Sequence, residues 1–211
     1  MKNTLTLILI VCFIAGSVYA KTTVNKSIRI EEGEHHSGGC SSVNGSIVVE
    51  EGARVRGGCK TVNGSIKIAE ECKVRGLHSV NGSIRVGEET EIDSNIETVN
   101  GSIDCQNGVN IDGDIKTVNG SIKLQGTEVK EGISTHNGSI TMTRNSIVHE
   151  DIVVKDSKGR NNRRDPLRII VDNSVVEGDI INKEEDIEVI VIIKNGGRVK
   201  GDIYDAYVEE D

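Results

Sequence analysis

Residues 98–116 read TVNGSIDCQNGVNIDGDIK, and Thr117 opens the next copy of the same phrase. Its centre, Val-Asn-Gly-Ser-Ile with small departures, recurs along most of the chain. The asparagines stand at Asn25, Asn44, Asn63, Asn81, Asn100, Asn119 and Asn137, at intervals of 19, 19, 18, 19, 19 and 18 residues. Each except the first is followed by Gly-Ser-Ile; the first copy reads Val24-Asn25-Lys26-Ser27-Ile28. A near-constant period of this length marks stacked structural repeats, none of which can bury its apolar face alone.

Aligning the copies on the asparagine separates the columns. Three residues on lie Ile28, Ile47, Ile66, Ile84, Ile103, Ile122 and Ile140, and two further on lie Ile30, Val49, Ile68, Val86, Cys105, Leu124 and Met142. A spacing of two is the strand period, so both columns face the same way. Eleven after the asparagine come Val55, Val74, Ile92, Ile111 and Val148, with a slip near Val129; four before it come Cys40, Cys59, Leu77, Ile96, Ile115 and Ile133. The residues between are mostly charged or small. Three short strands per repeat, each with one or two inward apolar side chains, describe one coil of an all-β, single-stranded, three-sided parallel β-helix. A glycine in nearly every half-turn would cost about 1 kcal/mol apiece in a helix, which excludes that alternative. The crossover rule favours a right-handed coil.

The asparagine column predicts a ladder. Side-chain amides stacked about 4.8 Å apart each donate to one neighbour and accept from the other. Asn followed by Gly also tolerates left-handed backbone angles, so a tight left-handed corner is expected there. The same triplets match the N-glycosylation acceptor, but sugars on every coil would crowd one another. Ser42, Thr61, Ser79, Thr98, Thr117 and Thr135 form one hydroxyl column just ahead of the asparagines, resembling a single rank of an ice-binding solenoid.

Residues 1–20 read as an export signal: Lys2 is the positive start, Leu5 to Ile14 is apolar, and Val18-Tyr19-Ala20 suits a signal peptidase. The regular repeats span 21–153, a basic insertion loop 154–168, and the last coils with a cap 169–211. The loop carries Lys155, Lys158, Arg160, Arg163 and Arg164, candidate contacts for an anion or a partner. Ile187 to Ile193 is expected to close the core, with Tyr204, Tyr207 and the acidic terminus as a cap; no cap is visible at the start of the first coil. An uncovered coil end predicts self-association through that end.

With 33 acidic against 25 basic residues, a formal charge of −8 and 2% aromatics, the chain lacks both a nucleic-acid-binding profile and a core of large rings. Cys40 and Cys59 share a column one coil apart, so a disulfide between them and a pair of stacked inward thiols are both open. Cys72 and Cys105 read as quiet thiols. His35 and His36 adjoin Glu31, Glu32 and Glu34, but adjacent strand residues point to opposite faces, so an exposed loop is expected rather than a metal site. No catalytic residue, metal site or cofactor is expected, and no membrane span once the signal is removed.

The segment Ile111 to Ile122, with Gly178-Asp179-Ile180 and Gly201-Asp202-Ile203, resembles bacterial bactofilins, the polymer-forming cytoskeletal proteins. It is similar also to exported bacterial β-helix proteins of adhesin type that are rich in Val-Asn-Gly-Ser-Ile. The resemblance covers roughly Val24 to Ile203. Bactofilins imply a right-handed β-helix that polymerises end to end; they are cytoplasmic, so the export signal departs from their pattern. The expected function is an exported structural or self-assembling cell-envelope protein, periplasmic, cell-surface or secreted, or alternatively an adhesin-like module for glycan or an envelope protein.

Overall fold

The computed structural model describes residues 20–157 and 165–210. The expected export segment, apart from Ala20, and Lys158, Arg160, Arg163 and Arg164 of the basic loop lie outside those residues. Within them the chain forms short strands in three parallel sheets of ten, ten and nine strands. Consecutive strands go to different sheets, and each pairs with the strand one coil away, so the sheets are the three faces of a β-solenoid of about ten coils. The first face begins with Lys21–Thr23 and Cys40–Ser42, the second with Ile28–Ile30 and Ile47–Val49, the third with His35–His36 and Arg54–Val55.

Burial alternates along the three-residue strands other than Ile133–Thr135, with the outer two side chains inward and the middle one outward, as in Ile66–Ile68 and Ile84–Val86. Register places like over like: Ile84 pairs with Ile66 and Ile103, and Leu77 with Cys59 and Ile96. The core is thus a set of axial files of Ile, Val and Leu, each fully buried side chain contributing about 1.5–3 kcal/mol. The two 18-residue copies keep this register by shortening corners. Val129 still pairs with Ile111 and Val148 and is buried, so the slip beside it is absorbed between the second and third faces.

The corner after the asparagine is not left-handed. Neither the seven asparagines nor Gly45, Gly64, Gly82, Gly101, Gly120 and Gly138 have positive φ. Glycine is needed there for a different reason: a Cβ on Gly45 would lie 2.2 Å from the Lys26 carbonyl oxygen, and one on Gly82 would lie 2.0 Å from that of Gly64. Successive coils approach too closely at this corner for any side chain. Lys26 occupies the glycine position in the first coil, and among the described residues no coil lies beneath it. The left-handed turn sits at the next corner, at Gly33, Gly52, Gly108 and Asn173, and with the less suited Glu71 (φ 55°) and Glu89 (φ 51°) in the same column.

The hydroxyl column faces inward and forms no ice-binding rank. Ser42, Thr61, Ser79, Thr98, Thr117 and Thr135 are all buried. Ser42 donates to the Lys26 carbonyl, and Thr61, Ser79 and Thr98 to those of Gly45, Gly64 and Gly82, at 2.9–3.1 Å. These four each satisfy a carbonyl of the coil below at the crowded corner, Thr135 instead accepts the Gly138 backbone N–H at 2.8 Å, and none is available to an external surface.

At the C-terminal end, Val189–Lys194 does not close the core, because Tyr207–Glu210 stacks on it in parallel. Tyr204 and Tyr207 point outward from the tenth coil, at 46% and 68% exposure, and so do not cover the end.

Candidate functional site

The repeat leaves four places where side chains do something other than fill the core: the asparagine corner, the two ends, the insertions at that corner, and the third face. At the corner, the amide of Asn44 donates to the Oδ1 of Asn25 at 2.8 Å, and the pattern continues through Asn63, Asn81, Asn100, Asn119 and Asn137 at 2.8–3.0 Å. Six bonds join seven coils in one direction. Since the first six asparagines are exposed, each bond competes with water and contributes about 0.5–1.5 kcal/mol. The ladder is a clamp along the edge, and its polar groups are committed to one another.

A polar cap that the sequence reading did not see covers the first coil. Lys21 stands in register with the buried Cys40, and His36 with Val55, so both occupy core files. The Lys21 Nζ reaches the Glu34 carboxylate at 3.0 Å, and His36 Nδ1 lies 3.7 Å from the same carboxylate. A hydrogen bond from the Glu31 backbone N–H and the ammonium of Lys21 hold the Glu34 carboxyl below its usual range. His35 and His36 form a strand of their own, with His35 exposed and His36 turned inward, and not a loop. At the opposite end Glu210 stands in register with Ile193, which packs against the core, and Val208 with Val191. A carboxylate therefore takes a core file in the last coil, where Val208 remains 45% exposed.

Cys40 and Cys59 are register partners, both buried, and both carry free thiols. The hydrogen bond with Cys40 and burial together push the Cys59 thiol well up. Burial likewise raises Cys72, whose Sγ lies 3.1 Å from the Glu50 carbonyl, and Cys105. Raised thiols in an apolar file are poor nucleophiles.

The irregular C-terminal coils insert at the asparagine corner. Lys155, exposed, follows the strand Ile152–Val154, and chain is again in strand at Leu167–Asp172. A second insertion at 183–188 carries Glu184, whose buried carboxylate accepts from the backbone N–H groups of Ser157 (2.9 Å) and Asp186 (3.2 Å), tying the two insertions together. The adjoining groove is lined by acidic residues including Glu185, Glu188 and Asp205. Among the described residues no three His, Cys, Asp or Glu are grouped to hold a metal ion.

On the third face His149 bridges Glu128 (Nε2, 2.9 Å) and Glu177 (Nδ1, 2.8 Å), one coil to either side. Hydrogen bonds to Glu128 and then Glu177 raise its pKa above the usual 6.5. The bridge therefore contributes fully below pH 6.5 and is lost as pH rises through the raised folded value. Thermal unfolding of the parent is expected to show a small loss of stability across that window. His149→Gln should remove it, and an unchanged pH profile in that variant would contradict the bridge.

No protein-family model matches the chain, and neither curated proteins nor solved structures give a significant match to it.

Proposed function

We propose that this chain is an exported, non-catalytic β-solenoid rod that serves the cell envelope as a binding module of adhesin type. The observation that carries this reading is the charge placed in core files at both ends: Lys21 and His36 in the first coil, Glu210 in the last. Adding a further coil at either end would desolvate those groups, and an inward charge at a sheet edge is a known device against edge pairing. A rod whose end files carry charge has its lateral faces to offer. The repeat columns support the non-catalytic part, because their polar side chains are engaged in ladder, corner and ion-pair roles.

The scaffold reading, a self-assembling envelope protein as the bactofilin resemblance implies, draws on the partial exposure of Val208 at the last coil. The charged files weigh against it. Export rests on Lys2, the apolar run to Ile14 and Val18-Tyr19-Ala20. Fractionation of cells expressing the full chain should place the protein outside the cytoplasm, with Lys21 as its first residue by N-terminal sequencing; a cytoplasmic protein retaining Met1 would overturn this part of the proposal.

A further inference from the structure

Arginines on the third face are partnered differently from the lysines there. Lys73 pairs with Glu91 (2.7 Å) and Asp93 (3.2 Å), Lys130 with Asp112 (2.6 Å), and Lys200 with Glu177 (2.5 Å). Arg54, Arg56 and Arg75 are all exposed, and none has a carboxylate partner among the described residues. They are also stacked against like charge. Arg54 is in direct register with Lys73, and Arg56 and Arg75 each follow one of the paired valines Val55 and Val74; on its other side Arg75 is level with Asp93, which follows Ile92, the other partner of Val74. Like charges opposite one another on a sheet are destabilising, and a chain with 33 acidic residues has no shortage of carboxylates to relieve them. Guanidinium forks left open in this way fit oxyanions.

The surroundings define the shape of the ligand. A groove of ≈ 440 Å³ is lined by His35, His36, Ser37, Arg54, Arg56, Lys73 and Asp93, with Arg75 outside that lining. On one side of the arginines the chain turns through Gly57 and Gly58 in one coil and Gly76 in the next. The glycines at 39 and 57 are required by the coils' close approach, since a Cβ on Gly57 would lie 2.5 Å from the Gly39 Cα. That corner is therefore bare, and beyond it on the first face stands Lys60, also exposed and without an acidic partner among the described residues. On the other side the corner carries Glu50, Glu51, Glu70 and Glu71, and above stand Glu91 and Asp93. A broad anionic surface laid on this face would meet those carboxylates. Of these, a narrow anionic chain crossing from Arg54 over the glycine corner to Lys60 would meet Asp93, whose charge Lys73 offsets at 3.2 Å. No Phe, Tyr or Trp lies along this path to stack a base or a neutral sugar, which leaves charge as the main means of recognition.

We propose that Arg54, Arg56 and Arg75, with Lys60 across the glycine corner, bind a linear anionic polysaccharide through its sulfate or carboxylate groups. This deepens the binding-module reading and rests on it. The test uses the chain from Lys21 to Asp211, titrated by calorimetry with heparin oligosaccharides and with oligogalacturonate at low and at physiological salt. Binding of at least one that weakens with salt, and about tenfold or greater loss in Arg54→Gln/Arg56→Gln/Arg75→Gln, is the expected result. Arg85→Gln/Lys123→Gln on the second face, matched for thermal stability, should bind within about twofold of the parent. Absence of binding to both polysaccharides, or equal loss in the second-face variant, would overturn the site. So would tighter binding to vesicles of phosphatidylglycerol than to either polysaccharide, which would assign these arginines to a lipid surface. Sedimentation of the same samples separates the two claims: discrete rods that bind nothing remove the site and leave the rod reading, whereas end-to-end polymers remove the rod reading whatever the calorimetry shows.

Discussion

Gly101→Ala is expected to cost about 3 kcal/mol or more of folding stability, a large effect for one methyl group. A Cβ there would lie 2.2 Å from the Gly82 carbonyl oxygen and 2.5 Å from its carbon. Neither partner is free to withdraw. The Gly82 carbonyl also accepts the Thr98 hydroxyl at 3.1 Å, and the adjoining asparagines are tied through the ladder at 2.9 Å. Relief must come from separating two coils at the corner, which loosens the ladder bond and the flanking strand pairing together. Urea unfolding of parent and variant measures the effect. Lys26→Ala, at the same column where no coil lies beneath among the described residues, should stay within about 0.5 kcal/mol of the parent. Equal midpoints for parent and Gly101→Ala would show that the corner is not close-packed.

Opening both ends should convert a discrete rod into an associating one. Lys21→Val and His36→Val would restore apolar files at the first coil, Lys26→Gly would restore the corner that lets a coil approach, and Glu210→Val would do the same for the last coil above Ile193. The combined variant then presents complementary unpaired strand edges with apolar interiors, the arrangement that charged edges suppress. Its sedimentation coefficient is expected to rise steeply with concentration while the parent's stays flat. A variant that remains as small as the parent would show that charge in the end files is not what limits stacking.

Most of the architecture was legible because the columns of a solenoid are written one under another. The invariant Ile three residues after each asparagine and the apolar files two, eight and minus seven positions from it locate the inward positions without reference to tertiary contacts. Corners were harder. Asn-Gly is the usual signature of a left-handed turn, but here the glycine is dictated by the coil below, a steric demand that appears only once the coils are stacked; the left-handed residues lie at the next corner and include Gly33, Gly52, Gly108, Gly126 and Asn173, with Glu71 and Glu89 in the same column disguising it. The hydroxyl column was visible as a column, yet its inward direction depends on the Gly45 and Gly64 carbonyls it satisfies. The first-coil cap was missed because Lys21 lies 13 residues before Glu34, and the Glu34 and His36 pair reads in sequence as part of an exposed loop. Their registers with Cys40 and Val55 were available from the period and are the signal that identifies them. The arginine cluster has the same character: Arg54, Arg56 and Arg75 are ordinary charges in sequence and a patch only through stacking.

In the function proposed above, the repeat builds a rod and charge in its end coils stops it there. Electron microscopy of the purified chain from Lys21 to Asp211 tests this directly. Discrete particles about 45 Å long, the length of about ten coils at roughly 4.8 Å each, are the predicted result; filaments growing by end-to-end stacking would contradict it.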